Sequence, residues 1–334
     1  MDSNNPQQSS EFSEEIIKQL QQLKDKYAVM GQDLGAYLDG LIYSDYLTYW
    51  DYIHLDTLLS LQSPRTAFPD EEIFIMYHQI TELYFKLSLH EYNQLAEKEN
   101  IDVKFLTARI RRINNYFKAL TASFEIMIDG MEKEQFLKFR MALLPASGFQ
   151  SGQYRKIEIC STDFRNLVDK DFRDQFTDSE LTDENIEKMY ENIYWLKGAT
   201  ELATGKKTLT LLQFEKKYNK EFKELAKDFK HTNLWHLFQK LTPEEQKDEA
   251  LRNELRFLDV NININWPLMH YKSAVRYLHK TPEDIAATGG TNWQKYLPPR
   301  FQKRIFYPEL WSAEEHENWG KAWVEENVFL KKGN

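Results

Sequence analysis

Pro69-Asp70-Glu71-Glu72-Ile73-Phe74-Ile75-Met76-Tyr77-His78-Gln79-Ile80-Thr81-Glu82-Leu83-Tyr84-Phe85-Lys86-Leu87-Ser88-Leu89 is the stretch that decides the fold. It opens with a proline, whose fixed φ suits the first helical turn, followed by three acids that favour the positive end of a helix dipole. From there to about Lys98 the side chains are apolar or aromatic nearly all round, as in a helix buried within a bundle. Outward from it, similar patterns predict helices over roughly 102–128, 131–144, 153–168, 183–198, 208–228 and 244–280. Toward the N-terminus, Ser13 with Glu14 and Glu15 reads as a helix cap opening on Ile16, Ile17, Leu20 and Leu23. A Tyr-rich stretch (43–52) then runs into a further helical segment, IHLDTLLSLQ.

The composition agrees. Among 334 residues there are 21 Phe, 18 Tyr and 8 Trp, enough for a large core, but only 12 Gly and 10 Pro. So few chain-turning residues disfavour a many-stranded sandwich or barrel and favour long helices. The net charge of −9 gives no basic face for nucleic acid. A lone Cys160 excludes an internal disulfide and any cysteine-rich metal site. No apolar run is long enough to span a membrane, and the polar, acidic N-terminus lacks the features of a signal or transit peptide. The expectation is a cytoplasmic, all-α protein with a disordered tail at 1–10 and one helical domain over 11–334.

Two places break the helical pattern. Val260-Asn261-Ile262-Asn263-Ile264-Asn265-Trp266 alternates with the period of a strand between helical flanks, and Pro267 follows. It reads as part of, or a break in, a long helix bent by the proline's missing N–H. Glycine, otherwise scarce, is paired at Gly289-Gly290, as where backbone must approach a partner closely.

Eight histidines are present, with no HExxH, CxxC, GxSxG, P-loop or strand-plus-GxGxxG pattern. Histidines on aromatic-rich helices suit haem chemistry, in which one neutral imidazole ligates iron, and they equally suit core packing. His78 lies one turn after Phe74, and His270 one turn after Trp266, so each pair shares a helix face. Either histidine is a ligand-facing group or a core residue bonded to a backbone carbonyl. Arg140 follows Phe136 and Phe139 on an apolar turn and needs an anion, which is an internal carboxylate or a substrate carboxylate held by the two-pronged guanidinium.

Taken together and in order, several stretches resemble the tryptophan 2,3-dioxygenase family. They are Tyr49-Trp50-Asp51-Tyr52-Ile53-His54-Leu55-Asp56, the Asp70–Leu83 helix with its Phe74-Ile75-Met76-Tyr77-His78-Gln79, and Phe139-Arg140 followed by PASGFQSGQYR. The others are Trp266-Pro267-Leu268-Met269-His270 and Thr288-Gly289-Gly290-Thr291. The resemblance implies an all-helical fold around a b-type haem and a homotetramer built as a dimer of dimers. It further implies insertion of both atoms of O2 across the indole C2–C3 bond of L-tryptophan to give N-formylkynurenine. Carried over, His270 is the proximal iron ligand, with Trp266, Ser147 and Gly148 also at the cofactor. His78 meets the indole N–H, Phe74 and Phe136 line the indole pocket, and Ser147 lies on the distal side. Arg140 and Thr288 hold the amino-acid end, and Tyr49, Tyr52 and Ile53 match a segment that reaches a neighbouring subunit's site. Pro267 stands where relatives commonly carry arginine, and the tail from Pro298 matches nothing in the family pattern. The rival readings are a haem oxygenase for a modified tryptophan or indole, a haem or indole sensor without turnover, and a haem-free interaction protein.

Overall fold

The computed structural model describes residues 12–44, 47–143, 150–177, 179–198, 200, 206–278, 299 and 303–321. The chain falls into two compact units, divided between Leu61 and Gln62. Among the described residues there is no β-strand, only the isolated bridges Val168 to Ile193 and Thr200 to Lys207, so the class is all-α as predicted. No described helix is long and apolar enough to cross a membrane.

The first unit holds α1 (Glu14–Val29), α2 (Leu34–Ile42), α3 (Tyr49–Tyr52) and α4 (Leu55–Leu58). Ser13 caps α1 as expected, its hydroxyl accepting the Ile16 N–H, and the Asp33 carboxylate caps α2. None of the residues in these four helices is buried.

The second unit carries the core. Its helices are α5 (Asp70–Glu97), α6 (Val103–Ser123), α7 (Glu125–Asp129), α8 (Lys133–Phe139), α9 (Gly152–Ser161), α10 (Asp183–Glu191) and α11 (Tyr194–Gly198). They are followed by α12 (Leu209–Asp228), α13 (Leu234–Gln239), α14 (Glu249–Val260), α15 (Trp266–Leu278) and α16 (Ala313–Glu317). α13 is absent from the sequence expectation because Leu234-Trp235-His236-Leu237-Phe238 is too short to show a period. α5 packs along α6 and α9, and α6 in turn carries α14. Ile110, Ile113 and Phe117 of α6 are wholly buried among these neighbours. α9 approaches α12 so closely that a Cβ on Gly152 would lie 2.6 Å from the Tyr218 ring.

α5 begins at the predicted Asp70 and runs for 28 residues. It is not covered on every side within the single chain. Tyr77, Phe85, Tyr92 and Leu95 are buried, whereas Met76, Ile80, Leu83 and Leu87 form an apolar stripe that is 39–48 % exposed. The spacing of these four, i, i+4, i+7 and i+11, puts them on one face.

The alternating stretch at 260–266 is not a strand but, as read, part of a long helix. Residues Asn261–Asn265 form a π-turn that joins α14 to α15, with the Trp266 N–H donating to the Asn261 carbonyl five residues back. In that register the next donor would be the amide of residue 267, a proline without N–H. The Tyr154 hydroxyl of α9 donates to the Ile262 carbonyl instead (2.9 Å).

Glu71 fixes the entry to α5. Its buried carboxylate accepts the backbone N–H groups of Arg65 and Thr66, both at 2.7 Å, and the Thr66 hydroxyl. Burial pushes its pKa up, but those donors and the Arg65 charge outweigh burial and hold it below its ordinary 4.5. A carboxyl with a depressed folded pKa stabilises fully above its unfolded value and loses that contribution as pH falls through the folded one. Glu71→Gln should therefore cost about 1–3 kcal/mol at neutral pH. In denaturant unfolding the gap should narrow below about pH 4. A gap that stays constant into acid would exclude the carboxylate's charge as its source.

Candidate active site

Four elements meet around a cluster of rings: α5 with Phe74 and His78, the α6–α7 junction with Phe124, α8 with Phe136 and Phe139, and α15 with Trp266, His270 and Tyr277. The start of α8 is tied to the start of α5, because the Asp70 carboxylate accepts the Glu132 N–H (2.6 Å) and Gln135 Oε1 accepts the Asp70 N–H (3.3 Å). That tie brings Phe136 to 6.2 Å and Phe139 to 5.7 Å from Phe74, centroid to centroid. α15 is fastened along α7 and the following turn. Ser273 Oγ donates to the Met127 carbonyl (3.2 Å) and Tyr277 OH to the Met131 carbonyl (3.3 Å), and Lys272 pairs with Glu125 at 2.7 Å.

Both candidate histidines use one nitrogen on their own helix. His78 Nδ1 lies 2.7 Å from the Phe74 carbonyl oxygen, and His270 Nδ1 lies 3.1 Å from that of Trp266. A carbonyl only accepts, so in each ring the proton is on Nδ1 and the Nε2 lone pair points away from the helix. No described residue bonds either Nε2. Each imidazole is half-buried, keeping some open surface. Burial lowers the pKa of His78 and takes that of His270 down to about 4, the nearby His78 adding to the second shift. Both rings are therefore neutral at pH 7.

The rings around them are closely set. Phe74 stands 4.1 Å from His78, and Phe124 and Trp266 each stand 4.6 Å from His270. Trp266 is edge-on to His270, and its indole is buried against Phe85 and Phe124. Arg140 begins the 3₁₀ turn Arg140–Leu143 directly after α8; it is buried, and desolvation lowers its pKa.

The structure thus gathers Phe74, His78, Phe136, Trp266 and His270 of the predicted residues around one ring cluster, with Arg140 at the end of α8. Tyr49, Tyr52 and Ile53 belong to the first unit, where Tyr49 and Tyr52 are exposed. Ser147, Gly148 and Thr288 lie outside the described residues. Phe124 and Tyr277 were missed by sequence reasoning: Phe124 lies on His270, and Tyr277 is 4.5 Å from Phe136. The signal for Tyr277 was present, seven residues after His270 and so on the same helix face. Phe124 sits at a helix junction, where period carries no information.

The donor set fits a haem. A haem iron takes one neutral imidazole through a lone pair, with the other ring nitrogen hydrogen-bonded to fix its orientation. His270 has that arrangement within apolar, aromatic walls. Among the described residues no three His, Cys, Asp or Glu side chains converge to hold an ion by themselves.

Comparison with known proteins points the same way. The family model described as tryptophan 2,3-dioxygenase matches residues 40–257. Tryptophan 2,3-dioxygenase of Ruegeria sp. is 39% identical over 132 residues, 38% of this chain and 44% of its own. That of Herpetosiphon aurantiacus is 44% identical over 119 residues, 34% of this chain and 45% of its own. That of Alteromonas mediterranea is 33% identical over 204 residues, 55% of each chain. The chain spans about half the length of the curated relatives it matches. The family match ends before α15, so the case for His270 is made by its own geometry. It covers α5 with His78, α8 with Phe136, and Arg140, and on that match over more than half its length the chain belongs to the tryptophan 2,3-dioxygenase family.

Proposed function

We propose that this protein is a haem-dependent dioxygenase that cleaves the indole C2–C3 bond of L-tryptophan, one oxygen atom of O2 going to each carbon, to give N-formylkynurenine. The observation that carries it is the pair of neutral histidines, each with Nδ1 spent on its own helix and Nε2 offered outward. One such lone pair suits iron, and the other suits the indole N–H.

Bound haem iron would supply the O2 chemistry, held through His270 with Trp266 behind it and with Ser147 and Gly148 near the cofactor. The remaining work falls to side chains. His78 Nε2 accepts the indole N–H, which sets the edge of the ring without removing the proton. Phe74 and Phe136 wall the ring and exclude water. Arg140 takes the substrate carboxylate, and Thr288 assists at the amino-acid end. Orientation of this kind alone can supply several kcal/mol of a barrier. His78 and Ser147 are the groups nearest the reacting atoms in this reading.

Self-association as a homotetramer, a dimer of dimers, and a cytoplasmic location are part of the same proposal. Two features support assembly. The first unit buries none of its helical residues while exposing Val29, Leu41, Ile42, Tyr49 and Tyr52, and α5 shows solvent its Met76–Leu87 stripe. Exposed apolar side chains on each unit are what an interface would cover. A second copy that brings Tyr49, Tyr52 and Ile53 to a neighbour's pocket would cover it.

Ferrous haem-loaded protein given L-tryptophan and O2 should release a product heavier by one O2, read by mass spectrometry. A gain of a single oxygen atom would favour a relative that inserts only one oxygen atom, and a bound haem without product would favour a modified indole substrate or a sensor. His270→Ala should lose haem, whereas His78→Ala should keep it and turn over slowly. Arg140→Ala should raise KM for tryptophan about 10- to 100-fold with haem content unchanged. A colourless His78→Ala with a coloured His270→Ala would exchange the two assignments. Light scattering of the loaded protein should give a mass of four chains, and a monomer at micromolar concentration would refute the assembly.

A further inference from the structure

The segment after residue 302, which the family pattern does not account for, is built into the core beside the π-turn. Arg304 is buried and makes a fork of contacts: Nε donates to Asn263 Oδ1, Nη2 to the Tyr154 hydroxyl (3.2 Å) and Nη1 to Tyr194 OH, while Nη1 also forms an ion pair with Glu158 at 2.8 Å. Tyr154 OH donates onward to the Ile262 carbonyl. Arg304 therefore grips the π-turn twice, once through the Asn263 side chain and once through Tyr154 to the backbone. Asp259, on the last turn of α14, locks the same segment. Its carboxylate accepts the N–H groups of Phe306 (3.0 Å) and Tyr307 (3.2 Å), the Trp311 indole N–H (3.0 Å) and the Asn263 amide (2.7 Å).

The π-turn sets the phase of α15. Each residue of an α-helix turns the chain by about 100°, so a turn widened by one residue rotates all that follows relative to α14 by that angle. Trp266, whose carbonyl receives His270 Nδ1, is the first residue after the turn, and His270 lies one helical turn further on. A wide turn is unstable by itself, because its hydrogen bonds are poorly aligned and Pro267 leaves the Ile262 carbonyl without its backbone donor. The Tyr154 hydroxyl removes that cost, and Arg304 fixes the hydroxyl.

We infer that Arg304 and Tyr154 are positioning residues for the proximal histidine: by holding the π-turn they set the direction of His270 Nε2 toward the iron. This rests on the haem reading above and adds the mechanism by which the axial ligand is aimed.

The test uses the full chain loaded with haem. Tyr154→Phe removes one oxygen at the Ile262 carbonyl and keeps the ring, and Arg304→Lys keeps a cation for Glu158 and loses the fork. Helix content is read by far-UV circular dichroism, haem loss by transfer to excess apomyoglobin, and the iron–histidine bond by its stretching band in the resonance Raman spectrum of the ferrous protein. With helix content unchanged, both variants should lose haem about tenfold faster than wild type. Both should also shift or broaden the iron–histidine band. In a His270→Gly background with imidazole supplied, the ligand is no longer tied to α15, and Tyr154→Phe should then have no effect. Wild-type haem loss and an unshifted band in Tyr154→Phe would overturn the inference. So would an effect that persists in the imidazole-rescued background. If Arg304→Lys loses helix content, Tyr154→Phe alone decides. Wild-type protein that takes up no haem would instead refute the functional reading, and this inference with it.

Discussion

The hydrogen bond from Tyr154 to the Ile262 carbonyl is the contact on which the arrangement of the pocket depends. A π-turn ending at a proline has a backbone acceptor that no amide in the helix can reach, and a buried acceptor left unmet costs about 1–3 kcal/mol. Satisfying it from another helix makes the irregularity tolerable and also ties α9 to the α14–α15 rod. Through that tie α9, packed on α5, shares in setting the distance between the helix that bears His78 and the helix that bears His270. Local strain and the geometry of the candidate site are thus one problem with one solution.

That solution requires charge in the core. Arg155 and Arg304 are buried with Glu158 and Asp259, two cations with two anions. Glu158 pairs with both arginines, at 2.9 and 2.8 Å, and Asp259 is surrounded by four donors. Buried pairs of this kind add little net stability, since desolvation cancels most of the attraction. What they add is selectivity. Any slip of the π-turn by one residue would separate Asn263 from Arg304 and Asp259 and leave charges unpaired, an outcome far costlier than a misplaced leucine. An apolar core at this point would tolerate the slip.

The legible and illegible parts of the fold divide along the same line. Helices set by period and caps were readable: α5 from its acidic start, α1 from Ser13, α12 from its apolar spacing. His78 and His270 were readable as pairs with the residue one turn earlier, which proved to be the very carbonyls they bond. The alternation at 260–266 was visible as an anomaly, but its resolution as a π-turn was not, because the donors that stabilise it come from Tyr154 and Arg304, distant in the chain. Arg304 itself reads as one of several basic residues in a tail that matches nothing in the family pattern. Phe124 gave no signal, since a residue at a helix junction has no period to betray the side it faces. Contacts made across 41 residues, as from Arg304 to Asn263, or 108, as from Tyr154 to Ile262, leave no local trace.

α5 shows how a single helix can be apolar all round and still be only half covered. One face supplies Phe74, His78 and the buried Tyr77, Phe85 and Tyr92; another carries Met76, Ile80, Leu83 and Leu87 into solvent. Within one chain the second face is a liability, and selection for solubility alone would replace those four side chains by polar ones at no cost to the core. Their presence makes sense if another copy covers them. The helix that presents His78 to the substrate would then be clamped between its own core and a neighbour, so that assembly would stiffen the same element on which the orientation of the indole depends. In the proposed enzyme, oligomer formation and substrate positioning would for that reason be coupled through α5.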